Sequence, residues 1–78
     1  MNKNKNSILK SLRAAKDLTQ GDMAKLIGVS TPTYNRKELG QSPFTLDESF
    51  KISSFFGETI EYIFFNKKVN TNKTGDTD

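Results

Sequence analysis

The stretch GVSTPTYNR, residues 28–36, gathers the side chains best suited to chemistry in this 78-residue chain. Ser30, Thr31 and Thr33 place hydroxyls around Pro32, and Asn35 and Arg36 follow within a helical turn. Hydroxyls, an amide and a guanidinium donate and accept hydrogen bonds, so they recognise a partner instead of reacting with it. The chain has no His and no Cys. It therefore lacks the usual general base, the usual metal ligand and any thiolate. No glycine-rich phosphate loop is present, and no two carboxylates form a recognisable catalytic pair. Asp47-Glu48 and Glu58/Glu61 fall where helix N-termini favour acids. These absences argue against an enzyme, a metal centre or a cofactor, and no small-molecule site is evident. What is left is a binding surface.

Such short side chains touch a partner only if the backbone beneath them comes very close, so the elements that carry them decide the reading. Helix signals recur at short intervals. Ser7 is placed to cap a first helix with Leu9 and Leu12 inward and Ile8 at its edge. Thr19 opens a second, and Asp22 three residues later makes a capping box. Met23, Ala24 and Ile27 then share one face, and Gly28 sits where a helix end favours a left-handed residue. Thr45 and Glu48 repeat the capping box for a fourth helix, predicted to turn Leu46, Phe50 and Phe56 inward with Ile52 and Phe55 flanking. Gly57 stops it. Thr59 caps a short last helix with Ile60, Ile63 and Phe64, and only there does a strand compete. The class is all-α, five short helices.

The third helix lies between Gly28 and Gly40. A residue before proline avoids the α region, which favours Thr31 over Ser30 as N-cap and Pro32 as first helical residue. Pro32 then starts the helix instead of breaking it. Helices two and three, joined by so few residues, must cross steeply, which is the helix-turn-helix unit. In that unit the second helix offers its N-terminal residues to base edges in the major groove. Thr31 and Thr33 can donate or accept there, a threonine methyl or Pro32 can meet a thymine methyl, and Arg36 reaches a guanine or a phosphate.

Charge agrees in sign. Residues 1–40 carry eight Lys/Arg against three Asp/Glu, and residues 41–78 carry four against six. The basic half suits a polyanion. Residues 1–6 (MNKNKN) read as a flexible basic arm, 7–65 as the folded domain, and 66–78 as a disordered polar tail. Nothing resembles a signal peptide or a membrane span, and a cytoplasmic protein is expected.

At these residues the chain resembles the Cro and phage-repressor (XRE) family, whose fold is lambda repressor-like. The likeness runs through LKSLRAAKDLTQGDMAKLIGVSTPTYNRKELG and KISSFFGETIEYIFF, about residues 8–65. It implies a five-helix bundle that binds double-stranded operator DNA, commonly as a homodimer on a two-fold site. It implies a phosphate contact and a bracing role for Gln20, and base-facing positions at Ser30, Thr31, Pro32 and Thr33, with Asn35 and Arg36 on the next turn. Gln41 and Ser42 match a loop along the DNA backbone. Arg13 and Glu38 match a structural ion pair between helices one and three.

Two departures stand out. The family usually has a large apolar residue where this chain has Lys37. Helix three should then be anchored by Tyr34 and Val29, with Lys37 laying its stem on the core and its amine outward, and Phe44 filling the space. The loop QSPF is also poor in Lys/Arg. Several C-terminal aromatics exceed what a small core hides, which points to Tyr62, Phe64 and Phe65 as a dimer face. The competing reading is a protein-interaction module on the same fold, of antitoxin or antirepressor type, favoured by a 7–65 segment with seven Lys/Arg and seven Asp/Glu.

Overall fold

The computed structural model describes residues 6–65. Its elements are α1 (Ser7–Ala15), α2 (Gln20–Ile27), α3 (Thr31–Glu38), α4 (Leu46–Phe56) and α5 (Ile60–Phe65), with no strand among the described residues. The aromatic segment for which a strand competed is the last helix. α1 packs on α3 and α5, α2 on α3 and α4, and α4 on α5. Leu9, Met23, Ala24, Ile27, Tyr34, Ile52 and Ile63 form the buried core.

The expected boundaries have local chemistry behind them. Thr19 and Asp22 exchange side chain-to-backbone hydrogen bonds at the start of α2, and Thr45 and Glu48 do the same at α4. Gly28 and Gly57 close those helices in the left-handed region, at φ 79° and 70°. Thr59 Oγ1 accepts from the Tyr62 amide at the start of α5.

Four expectations are corrected, the last of them at Lys37. Ser7 does not cap α1. It is the first helical residue, and Asn6 holds the cap position without capping through its side chain. The Asn6 amide is used elsewhere: Nδ2 donates to the Lys37 carbonyl at 2.9 Å, and the Asn6 N–H donates to the Glu38 carbonyl at 3.2 Å. It thereby satisfies carbonyls that the end of α3 leaves without helical partners. Asn6, grouped by sequence with the arm, ties α1 to α3.

The second correction is the α3 cap, which is Ser30 and not Thr31. The Ser30 carbonyl takes the Tyr34 N–H at 2.9 Å, so the helical ladder begins one residue earlier than expected. Pro32 at the second helical position loses nothing, because that N–H also lacks an intrahelical acceptor.

The third is the rotation of α4. Leu46 is 69% exposed and Phe50 56%, while Ile52 is fully buried. Glu48, Ser49 and Ile52 face inward. The carboxylate of Glu48 is drawn in by a partner on α3, and that turns the Leu46–Phe50 stripe outward.

That partner is Lys37. Its Nζ lies 3.0 Å from Glu48 Oε1, donates to the Pro43 carbonyl at 2.9 Å, and sits 5.8 Å from the centre of the Phe44 ring. Lys37 is only 8% exposed. Its amine is therefore held inside by three partners and does not snorkel to solvent. Phe44 fills the space beside it, with its ring 6.0 Å from Tyr34 and 5.1 Å from Phe64.

A second polar cluster centres on Glu38. Arg13 Nε donates to Oε2 at 2.9 Å and Nη2 to Oε1 at 3.1 Å, a two-pronged pair. Gln20 Nε2 donates to Oε1 at 3.0 Å, and Tyr34 Oη donates to Oε2 at 2.9 Å. Arg13 Nη1 also holds the Leu18 carbonyl at 2.9 Å. Burial pushes the Glu38 carboxyl up, but the Arg13, Gln20 and Tyr34 donors outweigh it and leave it below the ordinary carboxylate value. Burial, reinforced by the neighbouring Glu38 charge, pushes the Tyr34 phenol up, so it stays a donor.

Glu38→Ala should cost about 2–4 kcal/mol, since it leaves the Arg13 guanidinium and the Tyr34 hydroxyl without their acceptor. Urea titration of the folded chain measures this, and an unchanged midpoint would refute the role. The folded chain also keeps Glu38 ionised at a pH where the unfolded chain has begun to take up a proton. Stability should therefore fall as pH drops below about 5, and Glu38→Gln should flatten that fall.

Candidate nucleic-acid interface

The turn between α2 and α3 is short because its backbone groups are already used. The Gly28 and Val29 amides both donate to the Ala24 carbonyl, at 2.8 and 2.9 Å. Val29 tucks against the core and Ser30 starts α3. The start of α3 lies against the start of α2: a Cβ built on Gly21 would sit 3.5 Å from Thr31 Oγ1.

α3 is divided lengthwise. Tyr34, Lys37 and Glu38 are buried, whereas Thr31, Pro32 and Arg36 are exposed. Thr33 and Asn35 are half-buried on the flanks. The exposed stripe thus holds a hydroxyl, an apolar ring and a guanidinium within about a turn and a half. Short groups at the N-terminal end let the helix come close, and one long donor follows.

The hydroxyls are organised among themselves. Ser30 Oγ accepts the Thr33 N–H at 3.3 Å and donates to Thr33 Oγ1 at 2.9 Å. Arg36 Nη2 approaches the same Thr33 oxygen at 3.5 Å. Gln20 stands at the head of α2 with its amide engaged at both ends: Nε2 on Glu38, and Oε1 accepting Asn35 Nδ2 at 3.2 Å. Asn35 therefore turns toward α2. Gln20 braces α3, and a second N–H on Nε2 remains to donate.

The loop after α3 turns at Gly40, φ 82°. The Gln41 amide donates to the Arg36 carbonyl at 2.8 Å, leaving the Gln41 side chain exposed and Ser42 half-buried beside it. Arg13 and Lys37 are paired internally, so the exposed cation on α3 itself is Arg36.

On α5, the side chains expected at a dimer face are split. Phe64 packs on Phe44, Tyr62 is half-buried, and Phe65 is 65% exposed. Phe65 flanks a groove that Leu46, Ile60 and Phe64 also line. The described residues contain no helix long and apolar enough to cross a membrane.

Sequence reasoning placed Ser30, Thr31, Pro32 and Thr33 at the start of one helix and Arg36 a turn further along it, and the structure has them so. It missed the pairing of Asn35 with Gln20 and the pairing of Lys37 with Glu48. The second had a signal: a lysine at an apolar register position, with a capping-box glutamate beginning the next helix.

Comparison with known proteins gives the same architecture. A family model described as helix-turn-helix matches residues 9–63. An uncharacterised HTH-type transcriptional regulator of Methanocaldococcus jannaschii is 48% identical over 56 residues, 72% of this chain and 85% of that protein. The restriction-modification controller protein C.AhdI from Aeromonas hydrophila has a similar structure, with a TM-score of 0.65 at 27% identity over 76% of this chain and 89% of that one. With its α2–turn–α3 unit and a family match running from α1 into α5, the chain belongs to the helix-turn-helix family of DNA-binding transcriptional regulators, of the Cro and phage-repressor type.

Proposed function

We propose that this chain is a small Cro-like repressor that reads an operator duplex through the exposed face of α3. The observation that carries the reading is the division of α3: one face locked to α1 and α2 through Tyr34 and Glu38, the other presenting Thr31, Pro32 and Arg36 outward. A helix held this firmly on one side can place short side chains against base edges without moving. Arg36 takes a guanine edge, Thr31 and Thr33 tune neighbouring positions, and Gln20 and the Gln41–Ser42 loop contact phosphates. No catalytic step is involved. The related proteins named as a transcriptional regulator and as a controller of restriction-modification support a regulatory role.

Two copies bind one operator. A single short helix contacts only a few base pairs, and half-sites about one helical turn apart let two copies share the site. Phe65, exposed beside Leu46, is the centre of the face that meets the second copy, with Tyr62 and Phe64 at its margin.

Selection from random duplexes should enrich one motif with two-fold symmetry; a folded chain that enriches none overturns the reading. Retention by a protein partner at high salt, with no salt-sensitive retention on duplex DNA, would instead favour the interaction-module alternative. The log–log salt slope should fall between roughly −3 and −6, toward the shallow end because Arg13 and Lys37 are consumed inside the fold. Arg36→Ala should cost about 1–3 kcal/mol on the operator and relax preference at one base pair. An equal loss on operator and random duplex would make Arg36 a phosphate contact. Sedimentation of the complex should give two chains per two-fold site, and Phe65→Ser should weaken that assembly; one chain per site would reject it.

A further inference from the structure

We infer that Lys37 is a positioning residue: from inside the fold, its amine sets the loop Gln41–Phe44 against the end of α3 and so fixes the phosphate-facing backbone relative to the reading face. The inference rests on the DNA-reading role proposed above and adds to it a residue that never touches DNA.

The geometry is a three-way clamp. Lys37 leaves α3 toward the core, and its Nζ donates to the Pro43 carbonyl at 2.9 Å, in the middle of the loop. The same nitrogen lies 3.0 Å from Glu48 Oε1. That oxygen also takes the Thr45 amide at 2.9 Å, the capping bond that starts α4. One amine thus touches the loop and the cap that ends it, while Phe44 covers it from the side. The near end of the loop is pinned separately, by Gly40 N–H to the Lys37 carbonyl at 3.1 Å and Gln41 N–H to the Arg36 carbonyl at 2.8 Å. Between these anchors Gln41 and Ser42 have little freedom, although the loop carries no Lys or Arg of its own.

That last fact makes the clamp matter. A loop without cations can meet phosphates only through backbone N–H groups and short polar side chains, whose hydrogen bonds are strict about distance and angle. Preorganisation replaces charge. Burial pushes the Glu48 carboxyl up, but the Thr45 amide and the Lys37 amine outweigh it and leave it below the ordinary carboxylate value. Glu48 therefore stays ionised at neutral pH, as the acceptor beside the Lys37 amine. An apolar residue at position 37 could pack the core equally well, but it could not hold the Pro43 carbonyl.

The test is the double variant Lys37→Met/Glu48→Gln. Methionine keeps the stem, and glutamine keeps the capping acceptor for Thr45. No unpaired charge is left in the interior, so the fold should survive; circular dichroism and a melting curve establish that. Lys37→Met alone serves as a second variant. The expected result is an affinity loss of about three- to tenfold, the same on the selected operator and on a scrambled duplex, with base preferences unchanged and the salt slope unchanged, because no cation leaves the interface. Amide exchange at Gln41, Ser42 and Phe44 should quicken in the free protein. A folded double variant that binds both duplexes as tightly as the parent overturns the inference, as does one that loses preference at a single base pair. If the parent chain itself binds no duplex, the DNA-reading role fails instead.

Discussion

The carboxylate of Glu38 is the point on which the arrangement of the first three helices depends. Arg13 reaches it from α1, Gln20 from α2 and Tyr34 from α3 itself. A buried ion pair is weak grounds for stability, because desolvation offsets much of the attraction. Its value here is directional. Three hydrogen bonds from α1 and α2, with Tyr34 holding the carboxylate in place from within α3, narrow the relative placement of the three helices. Apolar packing alone would tolerate small slides of α3 along α2. A slide of even an ångström would carry the exposed Thr31 and Arg36 with it, so a helix with the proposed reading role benefits from a joint that narrows its position.

The composition of α3 explains why such a joint is needed. TPTYNRKE offers one large apolar side chain, Tyr34, for the whole helix. The outward face must be polar to meet a duplex, and the inward face has only eight residues to work with. The chain solves this with polar contacts that are fully partnered: no buried side-chain nitrogen or oxygen among the described residues lacks a hydrogen bond. Lys37 and Glu38, adjacent in sequence, point to different neighbours. Glu38 secures α3 to α1 and α2, and Lys37 secures it to the loop and α4. Partial satisfaction of either cluster would be worse than an apolar core, which is why removing one partner should cost more than any single bond is worth.

What could be read from sequence follows from how local each signal is. The capping boxes at Thr19 and Thr45 and the glycine stops at Gly28 and Gly57 are decided within four residues of chain, and the structure contains all of them. The helix-turn-helix was legible for the same reason. The rotation of α4 was not, since hydrophobicity ranks Leu46 and Phe50 above Ser49. The choice is made by Glu48, held by a lysine eleven residues earlier in the chain. Ser30 displaced Thr31 as cap because the rule for residues before proline is a bias and not a prohibition. The Arg13–Glu38 pair was accessible only through resemblance, since nothing local connects residues 25 positions apart. The side chains of the proposed recognition surface were chosen by type and position alone; their internal bonds, Ser30 to Thr33 and Asn35 to Gln20, depend on rotamers that only packing selects.

These internal bonds also bear on which residues can change without disturbing how the helix is held. Gln20 and Asn35 bind each other across the α2–α3 junction, so neither presents its whole amide to a partner. Thr33 accepts from Ser30 and lies within reach of Arg36. Thr31, Pro32 and Arg36 remain as exposed positions whose substitution disturbs no buried contact. A helix organised this way separates two demands. Its inner face fixes position through Tyr34, Lys37 and Glu38, and its outer face can vary freely. Under the proposed reading role, new preferences can arise at the exposed stripe while the joint at Glu38 stays intact, because the bonds that hold the helix and the exposed groups are carried by different residues.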